Sequence, residues 1–417
     1  MEETGRNAKL TASRLLERLS AIGADPAGGV TRLLYDAAWR EAQIAAAHLM
    51  REAGLEVAVD AVGNVFGRLA GTDPTAPAVL TGSHVDTVRS GGGYDGALGI
   101  AAGIAALARL KAERGQPRRT LEVVSFCEEE GSRFPLAYWG SGNVTGNRPF
   151  DGALDARDGN GTTLRAAMAA AGFEPGLHSR SRRTDIGFFA ELHIEQGEVL
   201  EREGREIGIV DAIFGQRRFF VDVEGRSGHA GTAPMAIRAD ALAAAAEMIA
   251  WLRTAALEAG GGLVATVGRL DVYPNVPNVI PGKAVFSLDV RHRDEAAIEA
   301  FCERARLALG AAADRHGVSV SLSCWLAEPP SPMDAALQAR IARICAAKAY
   351  SHRTIGSGAG HDAGLFAPLV PTAMIFVPSR GGISHSPLEY TAPEDVERGA
   401  DVLAELLHAL AYGEESA

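Results

Sequence analysis

The stretch that decides the fold class runs from Ala78 to Glu130 and reads AVLTGSHVDTVRSGGGYDGALGIAAGIAALARLKAERGQPRRTLEVVSFCEEE. It opens on an apolar, buried-looking run, Ala78–Leu80, and passes through a glycine turn at Gly91–Gly93. Helical spacing begins near Gly96 and continues to about Glu113. A second apolar run, Leu121–Phe126, then delivers three consecutive carboxylates, Glu128, Glu129 and Glu130. Strand, helix, strand in this order predicts an α/β sheet with parallel members. Chemistry in such sheets gathers just beyond the carboxyl ends of the strands, which is where His84 and Glu129 both fall.

Working outward, helical spacing recurs over residues 8–21 and 36–53, and short β-like runs follow at Glu56–Val62 and Val65–Leu69. A different rhythm starts around Asp211–Gly215. Strand Phe219–Val223, helix Pro234–Thr254, strands Leu263–Val272 and Ala284–Val290, helix Glu295–Ala313 and strand Val318–Leu326 make a β-α-β-β-α-β order. That is the ferredoxin-like pattern. The α/β character then returns with helix Ala335–Ala349, strand Thr372–Val377 and helix Pro393–Tyr412. Since single cores stop growing at about 250–300 residues, the 417-residue chain is expected to hold a catalytic α/β domain, residues 1–212 and 327–417, with a module of residues 213–326 inserted.

Forty-one Lys and Arg stand against 52 Asp and Glu, a net charge of −11. An acidic surface attracts neither nucleic acid nor an anionic membrane, so neither is expected as a partner. The four cysteines, Cys127, Cys302, Cys324 and Cys345, are scattered, with no CxxC pair. That is neither a disulfide framework nor a thiolate zinc site and fits a reducing cytoplasm. Residues Met1–Leu10 are polar and do not read as a secretory signal. No run of about 18 apolar residues suggests a membrane span.

The histidines carry the functional signal. His84 and Asp86 lie two apart in Gly82-Ser-His-Val-Asp-Thr, on one face of a strand end, where the carboxylate can orient the imidazole. Asp95 follows the glycine turn at a helix start and could bridge two cations. A structural histidine beside a plain helix cap explains this motif alone equally well. Adjacent Glu128, Glu129 and Glu130 would repel one another unless a cation or proton intervened, or they form an exposed acidic turn. His193, in Glu191-Leu-His-Ile-Glu-Gln-Gly, and His385, in Gly381-Gly-Ile-Ser-His-Ser-Pro, also follow apolar strands. Three strand-end histidines with Asp and Glu, and no thiolate, suit Zn²⁺, Mn²⁺, Co²⁺ or Ni²⁺. The glycines Gly91, Gly92, Gly93 and Gly96 do not match the GxGxxG spacing of a dinucleotide site. In the inserted module His229 lies in a glycine-rich turn and could neutralise an oxyanion. Asn278 and Arg291 are polar positions in the same module, in Pro277-Asn-Val-Ile-Pro-Gly and Leu288-Asp-Val-Arg. Arg291 suits a carboxylate, although alone it reads as a surface salt bridge.

Taken together, GSHxDTV, DGALG, EEEGSRF, HIEQG, GHAGT-PM, NVIPG, GAGHDA and SHSPxE resemble the amidase/hydantoinase/carbamoylase branch of the M20 metallopeptidase-like hydrolases, in order, from Asp36 to about Glu389. The resemblance implies an α/β fold with an M20-like bimetal catalytic domain and an inserted ferredoxin-like α+β lid or dimerisation domain. It implies two divalent cations per subunit, one on His84, Asp95 and His193, the other on Asp95, Glu130 and His385. It implies Glu129 as general base, Asp86 as the residue that orients His84, and a homodimer. Gln196, His229, Asn278, Arg291 and His361 resemble residues on the substrate side.

The resemblance further implies a cytoplasmic amidohydrolase that cleaves the carbamoyl C–N bond of a small ureido substrate, releasing ammonia and carbon dioxide. Gly215-Gln-Arg-Arg, which holds Gln216 and Arg217, resembles the stretch found in allantoate amidohydrolases. Allantoate is therefore the first expectation, N-carbamoyl-L-amino acids (or N-carbamoyl-β-alanine) the second and ureidoglycolate the third. A metal-free binder of ureido compounds and a peptidase are the competing classes. Two positions depart from the pattern: Ala233 replaces a usual Thr, and Tyr138-Trp139 is bulkier than usual.

Overall fold

Four parallel strands form the centre of the larger sheet. Ala78–His84 lies between Leu121–Phe126 and Ile186–Ile194, and Thr372–Val377 pairs with the far side of Ile186–Ile194. Ala78–His84, Leu121–Phe126 and Thr372–Val377 are buried at every position. Parallel strands covered on both faces read as continuous apolar runs rather than alternations, which is why the sequence marks them clearly. Antiparallel strands flank the group, Val65–Leu69 and Glu56–Val59 on one side and Ile207–Ile213 on the other, with His352–Ser357 also paired to Ile207–Ile213.

The structure, a computed structural model, describes residues 10–148 and 150–413, so most of the polar N-terminal stretch lies outside it. Contacts divide the chain into two compact units, 1–211 with 333–417, and 212–332. In the first, the helix Ala97–Arg114 packs on the central strands, and Ala12–Ser20 and Pro393–Ala411 pack on that helix. Leu15, Leu19, Ile100, Ile104, Leu107, Leu403 and Leu407 are fully buried between them, each contributing about 2 kcal/mol of hydrophobic stabilisation. No helix among the described residues is long and apolar enough to cross a membrane.

The second unit has a sheet in the order Leu270–Tyr273, Lys283–His292, Gly215–Glu224, Ser319–Glu328. Lys283–His292 alternates strictly between buried and half-exposed positions, the period-2 signature of a sheet with one covered face. Val221, Val223, Phe286, Leu288 and Val290 lie in one core with the helices Ala241–Ala259 and Glu295–His316.

Three details differ from the sequence reading. The helix expected from Pro234 begins at Ala241, because Asp240 caps it by accepting from the amides of Leu242 and Ala243, and Pro234 instead precedes a short 3-10 turn at Met235–Ile237. The single strand expected over Leu263–Val272 is two pieces, Val264–Thr266 and Leu270–Tyr273, both paired with Lys283–His292. The last strand continues to Glu328, and the second seam between the units falls after Pro332 rather than after Leu326.

Gly82 provides a test of the sheet. Its φ is +141°, and a Cβ there would collide with the backbone of Val124 on the neighbouring strand. Gly172 also has positive φ, +94°, but has open space around it. We expect Gly82→Ala to destabilise the protein by about 2–5 kcal/mol, from clash added to dihedral strain. Gly172→Ala carries the strain alone and should cost about 1–2 kcal/mol. Thermal and denaturant unfolding of both variants would check this; equal losses would remove the clash with Val124 as the cause.

Candidate metal centre

The four parallel strands end at one edge of the sheet. His84 closes its strand opposite Phe126, and His193 lies opposite Phe376 near the end of Ile186–Ile194. Glu129 and Glu130 follow Phe126, and His385 follows Val377 by one loop. Asp95, buried just before the helix Ala97–Arg114, is where they meet. Its Oδ1 lies 3.1 Å from His193 Nε2 and 3.4 Å from His84 Nε2, and its Oδ2 lies 3.4 Å from His385 Nε2. The same His385 nitrogen is 3.4 Å from Glu130 Oε1. Two donor triads result, His84–Asp95–His193 and Asp95–Glu130–His385, each with donor atoms within 4.8 Å of one another. Asp95 belongs to both.

Asp86 ties the end of Ala78–His84 to the turn that follows Leu121–Phe126. Its Oδ1 is 3.3 Å from His84 Nδ1 and also accepts from the Glu129 amide at 3.0 Å, while its Oδ2 accepts from the Glu130 amide at 3.2 Å. One carboxylate therefore aims an imidazole and shapes the turn that carries Glu129 and Glu130.

The electrostatics are those of a cluster short of positive charge. Burial alone would lower the His84 imidazole, yet hydrogen bonds to Asp86 and Asp95 hold its pKa well above the ordinary value. Asp95 similarly holds His193 up against burial. Hydrogen bonds to Asp95 and Glu130 raise His385 to about 10. Despite burial, hydrogen bonds from His193, His385 and His84 keep Asp95 well below the usual carboxylate range. Burial pushes Glu128, Glu129 and Asp362 well above it, with neighbouring carboxylates adding to the effect. Nitrogen and oxygen donors clustered around a low-pKa carboxylate, with no thiolate among them, fit a pair of divalent cations.

Further residues surround this group. Gln196, with φ of +58°, directs Nε2 to Asp95 Oδ2 at 2.8 Å rather than away from the cluster, and its Oε1 is buried without a hydrogen bond. His361 sets its ring 4.6 Å from that of His193, edge to face, and its Nε2 is 2.8 Å from Ser357 Oγ. Burial and His193 keep His361 well below the ordinary imidazole pKa. Behind His193, Glu191 accepts from Ser83 Oγ and the Ala363 amide, at 2.7 and 2.9 Å. The bulky pair Tyr138-Trp139 divides its roles. Trp139 is core and donates to Tyr35 Oη at 2.9 Å. Tyr138 donates its amide to Glu129 O, and its hydroxyl fills the space beside Gly360, where a Cβ would stand 3.8 Å from Glu129 Oε1.

His229, Asn278, Gln216, Arg217 and Arg291 belong to the inserted unit. A two-stranded ribbon not foreseen from sequence pairs Gly228-His229 with Val279-Ile280, and the Ala230 amide donates to Asn278 O at 3.0 Å. His229 is exposed, and its Nδ1 accepts from the Gly231 amide. Arg291 and Gln216 are direct cross-strand partners. Arg291 forms a bidentate pair with Asp289, with both contacts at 2.9 Å. Gln216 Nε2 donates to Glu328 Oε2, and Arg217 pairs with Glu295. Sequence reasoning did not assign Ser384, Glu389, Glu191 or Asp362. The available signals were proximity, since each lies within five residues of a recognised histidine, and, for Ser384, Glu389 and Asp362, membership of the SHSPxE and GAGHDA motifs.

The sequence model of Peptidase family M20/M25/M40 matches residues 80–409. The chain belongs to this family. Allantoate amidohydrolase of Bacillus subtilis (strain 168) is 45% identical over 412 residues, covering 99% of this chain and 100% of that protein. N-carbamoyl-L-amino-acid amidohydrolase of Paenarthrobacter aurescens is 40% identical over 406 residues, covering 95% and 96%. The crystal structure of an amidase of the hydantoinase/carbamoylase family from Burkholderia multivorans superposes with a TM-score of 0.90 at 35% identity, covering 97% of this chain and 99% of that one. This M20 chain therefore has amidohydrolases as full-length relatives, and the hydantoinase/carbamoylase branch is the one its sequence resembles.

The grip of Asp86 on the Glu129 turn can be measured without any ligand. In Asp86→Ala the amides of Glu129 and Glu130 lose a charged acceptor, worth about 1.5–3 kcal/mol each. Their hydrogen exchange should accelerate by about tenfold or more, while exchange in the helix Pro393–Ala411 stays unchanged. Unchanged protection at both amides would show that Asp86 does not organise the turn.

Proposed function

We propose that the chain is a dinuclear-metal amidohydrolase that cleaves the ureido C–N bond of a small N-carbamoyl substrate, allantoate before N-carbamoyl-L-amino acids. The observation that carries the reading is Asp95, a buried carboxylate shared by two triads of nitrogen and oxygen donors with Glu129 beside them. Allantoate is placed first because the allantoate amidohydrolase relative is the more similar of the two, 45% against 40%, with nearly full coverage.

On this reading His84, Asp95 and His193 hold one cation and Asp95, Glu130 and His385 the other, with Zn²⁺ or Mn²⁺ first and Co²⁺ or Ni²⁺ also matching the donors. When bound, such ions supply Lewis-acid polarisation of the carbonyl and lower the pKa of nearby water. The rest falls to the protein. Glu129, kept basic in character by burial and neighbouring carboxylates, takes a proton from the attacking water and passes it to the leaving nitrogen. Asp86 keeps His84 in one tautomer by engaging Nδ1. His361, neutral and anchored on Ser357, can donate to a substrate oxygen without adding charge. The balance is R–NH–CO–NH₂ + H₂O → R–NH₂ + CO₂ + NH₃. We also propose a homodimer, as the family resemblance implies.

Three experiments test the reading. Ammonia release from allantoate should fall to background with a strong chelator and return on adding Mn²⁺ or Zn²⁺; chelator-insensitive turnover would exclude a metal enzyme. Glu129→Gln should retain bound metal yet lower kcat by about 10²–10⁴-fold, and near-normal turnover would remove Glu129 as base. A panel of allantoate, ureidoglycolate, N-carbamoyl-β-alanine, N-carbamoyl-L-amino acids and dipeptides decides the substrate, by which one gives the highest kcat/KM.

A further inference from the structure

Asp95 can serve two triads only if both of its oxygens are aimed, and the groups that aim them lie outside the two triads. Glu389 is buried, and its Oε1 accepts from the amides of Tyr94 and Asp95, both at 3.0 Å. This fixes the backbone from which the Asp95 side chain departs. Its Oε2 accepts from Ser384 Oγ at 3.0 Å. Ser384 immediately precedes His385, whose φ of +52° is a conformation that non-glycine residues adopt at a cost of about 1–3 kcal/mol. Ser384 Oγ also lies 3.2 Å from Asp95 Oδ2 and accepts from Gln196 Nε2 at 3.2 Å, while the same Gln196 nitrogen donates to Asp95 Oδ2. Glu389 thus holds two loops at once, the turn that carries Asp95 and the loop that carries His385, although Asp95 and Glu389 are 294 residues apart.

The glycine turn is shaped around this side chain. A Cβ on Gly92 would collide with the Glu389 carboxyl group. Gly92 is not among the residues with positive φ, so alanine is acceptable to the backbone there. What excludes it is Glu389.

We infer that Glu389, acting with Ser384 and through the space left by Gly92, is a positioning residue that sets the separation of Asp95 from His385 and thereby the affinity of the second cation site. The inference rests on the reading of Asp95, Glu130 and His385 as that site. Ser384 has one proton to give and two carboxylates, Asp95 and Glu389, within reach. A glutamine at 389 keeps the acceptor for the two amides and places an N–H where Oε2 was. That N–H donates to Ser384 and leaves the hydroxyl free for Asp95, so Glu389→Gln preserves the arrangement that Glu389→Ala destroys.

The experiment is Mn²⁺ titration of the apo full-length chain by calorimetry with equilibrium dialysis, alongside thermal unfolding of each apo variant. Wild type should take up two ions, and Asp95→Ala should lose that stoichiometry. Failure of either control overturns the reading of the site and the inference with it. Given both controls, Glu389→Ala should weaken the second ion by about 10–100-fold, with the first ion much less affected. Glu389→Gln should stay within about threefold of wild type. Gly92→Ala should weaken the same ion, because its added Cβ meets both the carboxyl group and the Cβ of Glu389. Should Glu389→Ala not fold, Ser384→Ala, which removes one oxygen from a partly exposed loop, carries the test with an expected loss of about threefold to tenfold. Wild-type affinity for the second ion in the folded alanine variants, or equal weakening of both ions, would overturn the inference.

Discussion

Negative charge gathered at the carboxyl edge of four parallel strands is the constraint that the rest of the larger unit answers. Asp86, Asp95, Glu128, Glu129, Glu191, Asp362 and Glu389 are all buried. Burying one unpaired carboxylate costs several kcal/mol, so a cluster of this kind is tolerable only where positive charge or protons offset it. Three imidazoles meet one of the carboxylates, Asp95, directly. A fourth contribution comes from Arg32, which is fully buried and spends its hydrogen bonds on the carbonyls of Val85, Leu19 and Ile22. Burial draws its pKa down to about 10, and Asp86 and Glu389 act in the opposite direction. Arg32 thus braces the segment between His84 and Asp86 while lending charge to the cluster.

The same constraint explains the division of labour among the carboxylates. Asp95 is drawn to the charged form by the imidazoles around it, whereas Glu129 is pushed towards the protonated form by burial and by Glu130 nearby. Two groups of one chemical type are separated in basicity by environment alone, which is how acid and base roles are assigned in enzymes. The backbone also participates. Gln196 and His385 both adopt positive φ, and both are engaged with Asp95. Unfavourable dihedrals at two residues beside one carboxylate are consistent with a site held together by its hydrogen bonds rather than by local preference.

Much of the fold was legible because the buried parallel strands announce themselves. Leu121–Phe126 and Thr372–Val377 were bounded correctly from apolar runs alone. The apolar run Ala78–Leu80 is shorter than the strand, which continues to His84: Thr81, Gly82 and Ser83 are buried and pair with Leu121–Phe126, although they are not apolar. In the inserted unit the alternating strands were found with the right order, but the start of the Ala241–Ala259 helix was missed. Alanine-rich sequence has strong helix propensity throughout, so the boundary depends on the Asp240 cap rather than on periodicity.

By itself, the sequence determined the class of chemistry. Histidine, aspartate and glutamate at the ends of apolar strands, with no paired cysteines, supply nitrogen and oxygen donors of the kind that suit divalent cations. The tertiary structure alone decided which of those side chains meet. Asp95 is 98 residues from His193 and 290 from His385, so their convergence follows from the order of strands in the sheet. It also decided that Gln196 turns towards Asp95, that Arg291 rests on Asp289 and that Glu389 clasps two loops. Residue type states what a side chain can donate or accept. Only packing fixes the distance and direction, and hydrogen bonds and metal ligation are too short-ranged to act without them.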